Sequence, residues 1–333
     1  MQEHFNTFRP ELQGVKNIKT IKNSDSYDFC CVRINKRHTI SKEVSKSIKE
    51  KLKVMKTQKD IAKENFVSTN TVGRILKQID TKELKKKDLD TSIIYIDEFK
   101  GNAENEKYQI AIYDKNRNLV DILQNRKAKT IVEYLKTNNI KQQIVVTDMF
   151  KPFRSLIKKH LQSTQIVADK YHVIRQVMWF LRDTRIQLFN EDGQKYKYLK
   201  KYWKLLTINT TKKPLSEKQN KKLKELLNLN AELKKTYYIV KEFHRIIDMK
   251  KPLSFERRLN GLIDRLSKLE TKQSKKLKLT LQSWKPEIVN ILKHCISNGF
   301  VEGNNNKIKV IKRISYGLRN YDNFRKLIFL RLY

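Results

Sequence analysis

Four acids in this chain stand where chemistry could use them. Asp97 closes the apolar run of "SIIYIDEF", Asp148 that of "QQIVVTDMF", and Asp169 follows "TQIVA". Glu302 lies in "SNGFVEGNNNKIKVIKR", a lone carboxylate among asparagines and cations. A buried run that ends in an acid costs stability unless the acid reaches water, a cation or a metal. Three such acids on neighbouring strand ends would make a hard-oxygen pocket suited to Mg²⁺ or Mn²⁺. One strand-end aspartate alone is more often a cap or loop residue. The pair Asp97 and Asp148, in the strand order below, points to metal-assisted chemistry. Glu98 is set aside, because strand alternation turns it to the opposite face.

Glu302 has two readings. It falls in the first turn of a helix that Asn298 is expected to cap, where a negative charge is favourable anyway. Alternatively, the helix presents one acid to a polyanion. Asn306, Lys309 and Arg313 follow on one face at steps of three and four, with Asn305 and Lys312 flanking it. Such a row would hold phosphates while the acid ligates metal. Gly299 and Gly303 would let this backbone approach another surface closely.

The elements that must position these acids follow from periodicity. Residues 1–40 form a segment with little pattern, though "DFCCVRI" reads as a short strand. From Ser41, a cap candidate, Val44, Ile48 and Leu52 repeat at period four. In 56–79, Ile61 and Ala62 belong to one helix, Phe66 and Val67 to a tight turn, and Ser68 caps a second helix with Val72, Ile75 and Leu76 inward. Residues 41–80 thus read as a helix-turn-helix domain. Its outward face carries Asn70, Thr71, Arg74 and Gln78, with Lys77 at the edge and Ser68 at the start. Those side-chain types suit base edges and phosphates. The plain alternative is an ordinary helical hairpin. Residues 81–90 read as a charged linker.

Strand-like runs at 92–99, 108–114 and 118–125 then predict an antiparallel meander. A helix over 127–138 with Ile131, Val132 and Leu135 inward, a strand over 142–150, a helix over 151–161 and a strand from 164 complete a β-β-β-α-β-α-β order. That is the order of a ribonuclease-H-like mixed sheet with helices on both faces, in which the ends of the first and fourth strands lie side by side. From 171 to about 297 the pattern is helical, and Leu226, Leu229, Leu233, Tyr237 and Val240 read as the core of a bundle. The expected fold is therefore α+β/α. A catalytic core spans 91–175 and 298–333, with an α-helical insertion over 176–297.

Composition bounds the partner. Net charge is +38, from 73 Lys and Arg against 35 Asp and Glu, and the cations run the whole length. Self-repulsion on that scale calls for a polyanion, and phosphate neutralisation makes nucleic acid the first choice. The richness in Lys, Asn and Ile also fits an AT-rich genome. No apolar run reaches membrane-spanning length, and the N-terminus lacks a signal-peptide core. Cys30, Cys31 and Cys295 fit a reducing, cytoplasmic setting without disulfides.

The segments "YIDEF", "VVTDMF", "ADKYHV" and "SNGFVEGNNNKIKVIKRISYGLRNYDNFR" resemble the ISL-three family of bacterial insertion-sequence transposases, over roughly 92–330. The resemblance implies a DDE triad of Asp97, Asp148 and Glu302 holding two Mg²⁺ or Mn²⁺ ions. It also implies double-stranded DNA as partner, both element ends and target, on a nucleoid-associated homo-oligomer. Hydrolysis at an element end would free a 3′-hydroxyl that attacks target DNA. Lys307, Lys309, Lys312, Arg313 and Arg319 would hold phosphates, and Tyr316 is expected to pack rather than stack on a base. Asp169 would tune the pocket from behind the ligands, and His172 would contact phosphate, assist proton transfer or serve structure alone. Members of the family usually begin with a cysteine-rich zinc motif; Cys30 and Cys31 are either its remnant or the mark of a shortened copy. The rival readings are a DNA-binding regulator without catalysis and a structure-selective nuclease of the same fold.

Overall fold

Caps and apolar spacing set the first elements of the chain. The computed structural model describes residues 20–23, 26–29 and 40–332, except 86–87, 102, 139–141, 297 and 317. Cys30, Cys31 and the rest of the strand expected there lie outside the described residues. The chain divides into two compact units, Met1–Ile140 with Phe300–Tyr333, and Lys141–Gly299.

In the first unit, strands β1 (Thr20–Asn23) and β2 (Ser26–Phe29) pair antiparallel. Three helices follow: α1 (Lys42–Leu52), α2 (Gln58–Glu64) and α3 (Thr69–Gln78). Ser41, Thr57 and Ser68 each accept a backbone N–H of the turn they cap, satisfying donors the helix start leaves open. Val44, Ile48, Leu52, Ile61, Ala62, Val72, Ile75 and Leu76 are all buried between the helices. Phe66 turns the chain between α2 and α3 with φ of 53°. The segment expected as a linker begins with one helical turn, α4 (Thr81–Leu84).

Strands β3 (Ile93–Phe99), β4 (Gln109–Tyr113) and β5 (Leu119–Leu123) pair antiparallel as the meander predicts, with Asp97 opposite Ala111 and Ala111 opposite Ile122. Helix α5 (Ala128–Thr137) buries Ile131, Val132 and Leu135.

The second unit opens with β6 (Ile144–Thr147), α6 (Lys151–His160) and β7 (Gln165–Ala168); β6 and β7 pair parallel. Helices α7 (Lys170–Glu191), α8 (Lys197–Lys201), α9 (Trp203–Thr207), α10 (Glu217–Asn228), α11 (Ala231–Ile247), α12 (Pro252–Ser267), α13 (Lys272–Ser283) and α14 (Lys285–His294) complete it. Leu226, Leu233, Tyr237 and Val240 are buried as bundle core, while Leu229 ends α10 and is half-buried. Helix α14 docks on β7, where Asn290 donates to the Ile166 carbonyl at 2.9 Å.

The chain returns to the first unit with α15 (Gly299–Ile314) and α16 (Tyr321–Leu332). The β-β-β-α-β-α-β order and both kinds of ladder match the mixed α/β expectation. Among the described residues no helix is long and apolar enough to cross a membrane.

Helix α16 ties the first unit together. Phe324, Leu327, Ile328, Phe329 and Leu330 are buried, and Arg331 donates to the carbonyls of Leu52 and Lys56 at 3.0 and 2.7 Å. Burial pushes the Arg331 guanidinium down to about 10, so it stays charged near neutral pH. Buried Asp121 on β5 accepts from Arg325 Nε at 2.7 Å, Lys85 Nζ at 2.6 Å and Tyr134 Oη at 2.9 Å. Burial first, and then the Asp121 charge, pushes the Tyr134 phenol far up. Removing one member of such a buried set leaves the others uncompensated. Asp121→Asn should therefore destabilise the first unit by about 3 kcal/mol, seen as an earlier urea transition. A change under about 0.5 kcal/mol would show that water already screens the cluster.

Candidate active site

Helix α15 lies along β3 of the first unit, and three contacts fix its register. The Phe300 ring meets Tyr95 edge-on at 4.8 Å and Tyr113 at 5.7 Å. Asn305 Nδ2 donates to Asp97 Oδ2 at 2.7 Å. Lys312 Nζ donates to the Lys100 carbonyl at 2.9 Å. The spacings agree with element geometry. From 305 to 312 the helix rises about 10.5 Å, and from 97 to 100 the strand advances about 10 Å. From 300 to 305 and from 95 to 97 the rises are about 7.5 and 6.6 Å. Helix and strand therefore run in the same direction, side by side.

This register places Glu302 one turn before Asn305, about 4.5 Å back along the axis. Asn305 is buried and Glu302 is exposed. Asp97 is half-buried, and its Oδ1 also accepts the Glu98 backbone N–H at 2.9 Å. Two N–H donors thus orient the first acid, and the helix that supplies the last acid provides one of them. Glu98 faces away, ion-paired with Arg126 at 3.0 Å, as alternation predicts.

In the second unit, Asp148 follows β6 directly and is half-buried, 3.5 Å from the Thr147 hydroxyl. Asp169 follows β7 and caps α7, its Oδ1 accepting the Tyr171 N–H at 2.9 Å. His172 Nδ1 lies 3.9 Å from Asp169 Oδ2. Asp148 and Asp169 thus follow the last residues of β6 and β7, as the apolar runs predict, whereas Asp97 does not close its strand, because β3 keeps its pairing with β4 through Glu98 and Phe99. Among the described residues no group of three His, Cys, Asp or Glu is disposed to hold a metal ion. The ligand chemistry of Asp97 and Glu302, carboxylate oxygen with one member already oriented, suits a hard divalent cation.

Some side chains depart from the pattern that spacing predicts. Thr71 does not face outward from α3. It is buried, its N–H and hydroxyl both turned to Ser68 Oγ and its hydroxyl accepting from Arg74. Positions 71, 72, 75 and 76 form one inward stripe, and the cap draws Thr71 into it. Asn70, Arg74, Lys77 and Gln78 are exposed as expected, and Ser68 is exposed with its hydroxyl engaged in capping. Asn298 does not cap α15, since its Oδ1 is buried without a hydrogen-bond partner. Lys312 is half-buried with its ammonium on a carbonyl, and burial lowers its pKa. Tyr316 does not pack: it is 84% exposed, because a left-handed φ of 41° at the end of α15 swings it outward. Asn306, Lys307, Lys309 and Arg313 are exposed, with Lys309 donating to Asn306 at 3.2 Å.

Asn305 is the residue that sequence reasoning leaves on the flank. Its signal is its place three residues after Glu302, one turn along the same helix.

A family model described as a transposase, of the DDE ISL3 type, matches residues 94–328. The chain is 27% identical over 184 residues to the transposase for insertion sequence element IS1001 of Bordetella parapertussis, covering 54% of this chain and 45% of the relative. It is 33% identical over 106 residues to an ATP-dependent protease of Lactococcus lactis subsp. lactis, covering 32% and 33%. The chain thus spans less than half the length of these curated relatives.

The clamp itself can be tested. Asn305→Leu removes the amide that donates to Asp97 Oδ2, a loss of about 1–3 kcal/mol. Asn305→Asp adds like-charge repulsion and should lower the melting temperature at pH 8 further than Leu does. An Asp variant that melts with the parent would contradict the contact.

Proposed function

Because the chain belongs to the ISL3 family of transposases, we propose that it cuts DNA at the ends of an insertion sequence and joins the freed ends to target DNA. Asp97, Asp148 and Glu302 are the catalytic carboxylates of this reading and the ligands of two divalent ions. Asn305 carries it: a buried amide bonded to Asp97 commits α15, and with it Glu302, to the strand that bears the first acid. An exposed helix with an incidental acid would have no need of that register.

When bound, Mg²⁺ or Mn²⁺ would supply Lewis acidity for the attacking and leaving oxygens of an in-line displacement. The chain's own groups do the positioning. Asn305 holds the Asp97 carboxylate at one angle. Exposed Asn306, Lys307, Lys309 and Arg313 line α15 beyond Glu302, where they would hold the backbone phosphates of the scissile strand. Lys312 contributes charge from a tethered position, and Tyr316 and Arg319 extend the face. Water opens the phosphodiester at the element end, and the released 3′-hydroxyl then displaces the 3′-oxygen of a target phosphodiester. No covalent protein–DNA intermediate is required.

Helices α1 to α3 act in this reading as a helix-turn-helix. Asn70, Arg74, Lys77 and Gln78 on α3 would meet base edges and phosphates, with Ser68 at the helix start. The catalytic core then comprises 91–175 and 298–333, with 176–297 as a helical insertion. Asp169 and His172 would support the pocket from the start of α7. Two ends must be held together for joining, so the working form is a homo-oligomer on DNA in the bacterial cytoplasm, at the nucleoid.

Asp97→Asn, Asp148→Asn and Glu302→Gln should each lower metal-dependent strand cleavage by at least about 10³-fold while duplex affinity stays near that of the parent. A Glu302→Gln protein that cuts like the parent would overturn the assignment. Cleavage without joining in a strand-transfer assay would leave a nuclease.

A further inference from the structure

The helical unit carries a surface that the reaction above does not use. Tyr198 on α8 and Tyr202 at its end stack with ring centroids 6.2 Å apart and planes 26° apart. They lie four residues apart, one turn of helix, so the short helix itself sets the pair. Tyr198 is 42% exposed, Tyr202 is half-buried, and neighbouring Trp203 is 44% exposed. Cations ring the pair. Lys222 Nζ, arriving from α10, lies 5.0 and 5.1 Å from the two rings. Lys197 lies 5.4 Å from Tyr198 and Lys201 5.5 Å from Tyr202. Lys222 also pairs with Glu225 at 2.9 Å, and that hydrogen bond raises its pKa. Residues 195–225 hold eleven lysines and two glutamates.

We infer that this patch binds unpaired nucleotides of DNA, stacking bases on Tyr198 and Tyr202 while Lys197, Lys201 and Lys222 take the adjoining phosphates. Lysines alone would serve any polyanion. Large aromatic faces kept at the surface within a lysine ring suit a ligand that is anionic and carries flat apolar faces in alternation, which is what a single strand offers. A duplex hides its base faces in its own stack and would use only the charges. The inference rests on DNA being the partner, as proposed above, and is otherwise independent of the acids. It gives the helical unit a role of its own, that of holding strand which has lost its complement during cutting and joining.

The test uses the full chain with an oligo-dT about twelve nucleotides long carrying one 5-iodouracil, and a duplex of equal length. Ultraviolet cross-links mapped by mass spectrometry should fall on Tyr198 or Tyr202 in the parent and in Tyr198→Phe/Tyr202→Phe. Tyr198→Ala/Tyr202→Ala should weaken oligo-dT binding about tenfold and duplex binding less than about twofold. Tyr198→Ala alone, at the more exposed ring, should show part of the same selective loss. Cross-links elsewhere only, or equal losses on both DNA forms, would overturn the inference while leaving duplex binding as evidence for the DNA reading. A parent that binds neither form would overturn both.

Discussion

The 2.7 Å hydrogen bond from Asn305 to Asp97 joins two stretches of chain more than two hundred residues apart, and most of the candidate site depends on it. It holds only if α15 lies flat along β3 in one register, and that register needs Phe300 against Tyr95 and Tyr113. The apolar stripe of Val301, Ile308 and Ile311, all buried, supplies the adhesion. The amide supplies the position, because a buried polar contact is costly when misaligned. Glu302 inherits its place from the helix, one turn from a residue that cannot slide.

Charge is the second constraint. A net +38 chain must place most cations where water or a partner can offset them. A few are spent inside: Arg331 on the Leu52 carbonyl that ends α1 and the Lys56 carbonyl beyond it, Arg325 and Lys85 on Asp121, Arg154 over the Trp284 ring at 4.3 Å with Glu287 beside it. These fasten elements together. The cations of α3, of α15 beyond Glu302, and of the segment around Tyr198 are largely exposed, and no fold requirement accounts for their number. Three basic surfaces on one chain suit a polymer that is met at several points at once.

Much of this is legible in the residues. Apolar runs mark β3, β6 and β7, and those of β6 and β7 stop where Asp148 and Asp169 begin, because a strand buried by neighbours must be apolar until it reaches its end; β3 instead runs on past Asp97 to Phe99. Caps at Ser41 and Ser68 are legible because few side chains can take the open N–H groups of a helix start. What stays hidden is set by tertiary contact. Asn305 sits in a run of three asparagines that reads as a solvated face, and only the neighbouring strand makes it interior. Asp121 lies in "LVDIL", where nothing local announces that Arg325 will arrive from the last helix. Thr71 escapes the helical pattern because burial at the edge of a stripe depends on the cap's hydroxyl as much as on the angle. Tyr316 escapes it because one left-handed residue redirects the chain.

In the function proposed above, Asp97, Asp148 and Glu302 share divalent ions when DNA is engaged. Iron(II) placed in such a site, with ascorbate and peroxide, cuts the polypeptide only close to where it is held. With the DNA-bound full chain, fragments ending near residues 97, 148 and 302 together, suppressed by excess Mg²⁺, are the predicted result. Cuts confined to the neighbourhood of one acid, or scattered without regard to Mg²⁺, would contradict it.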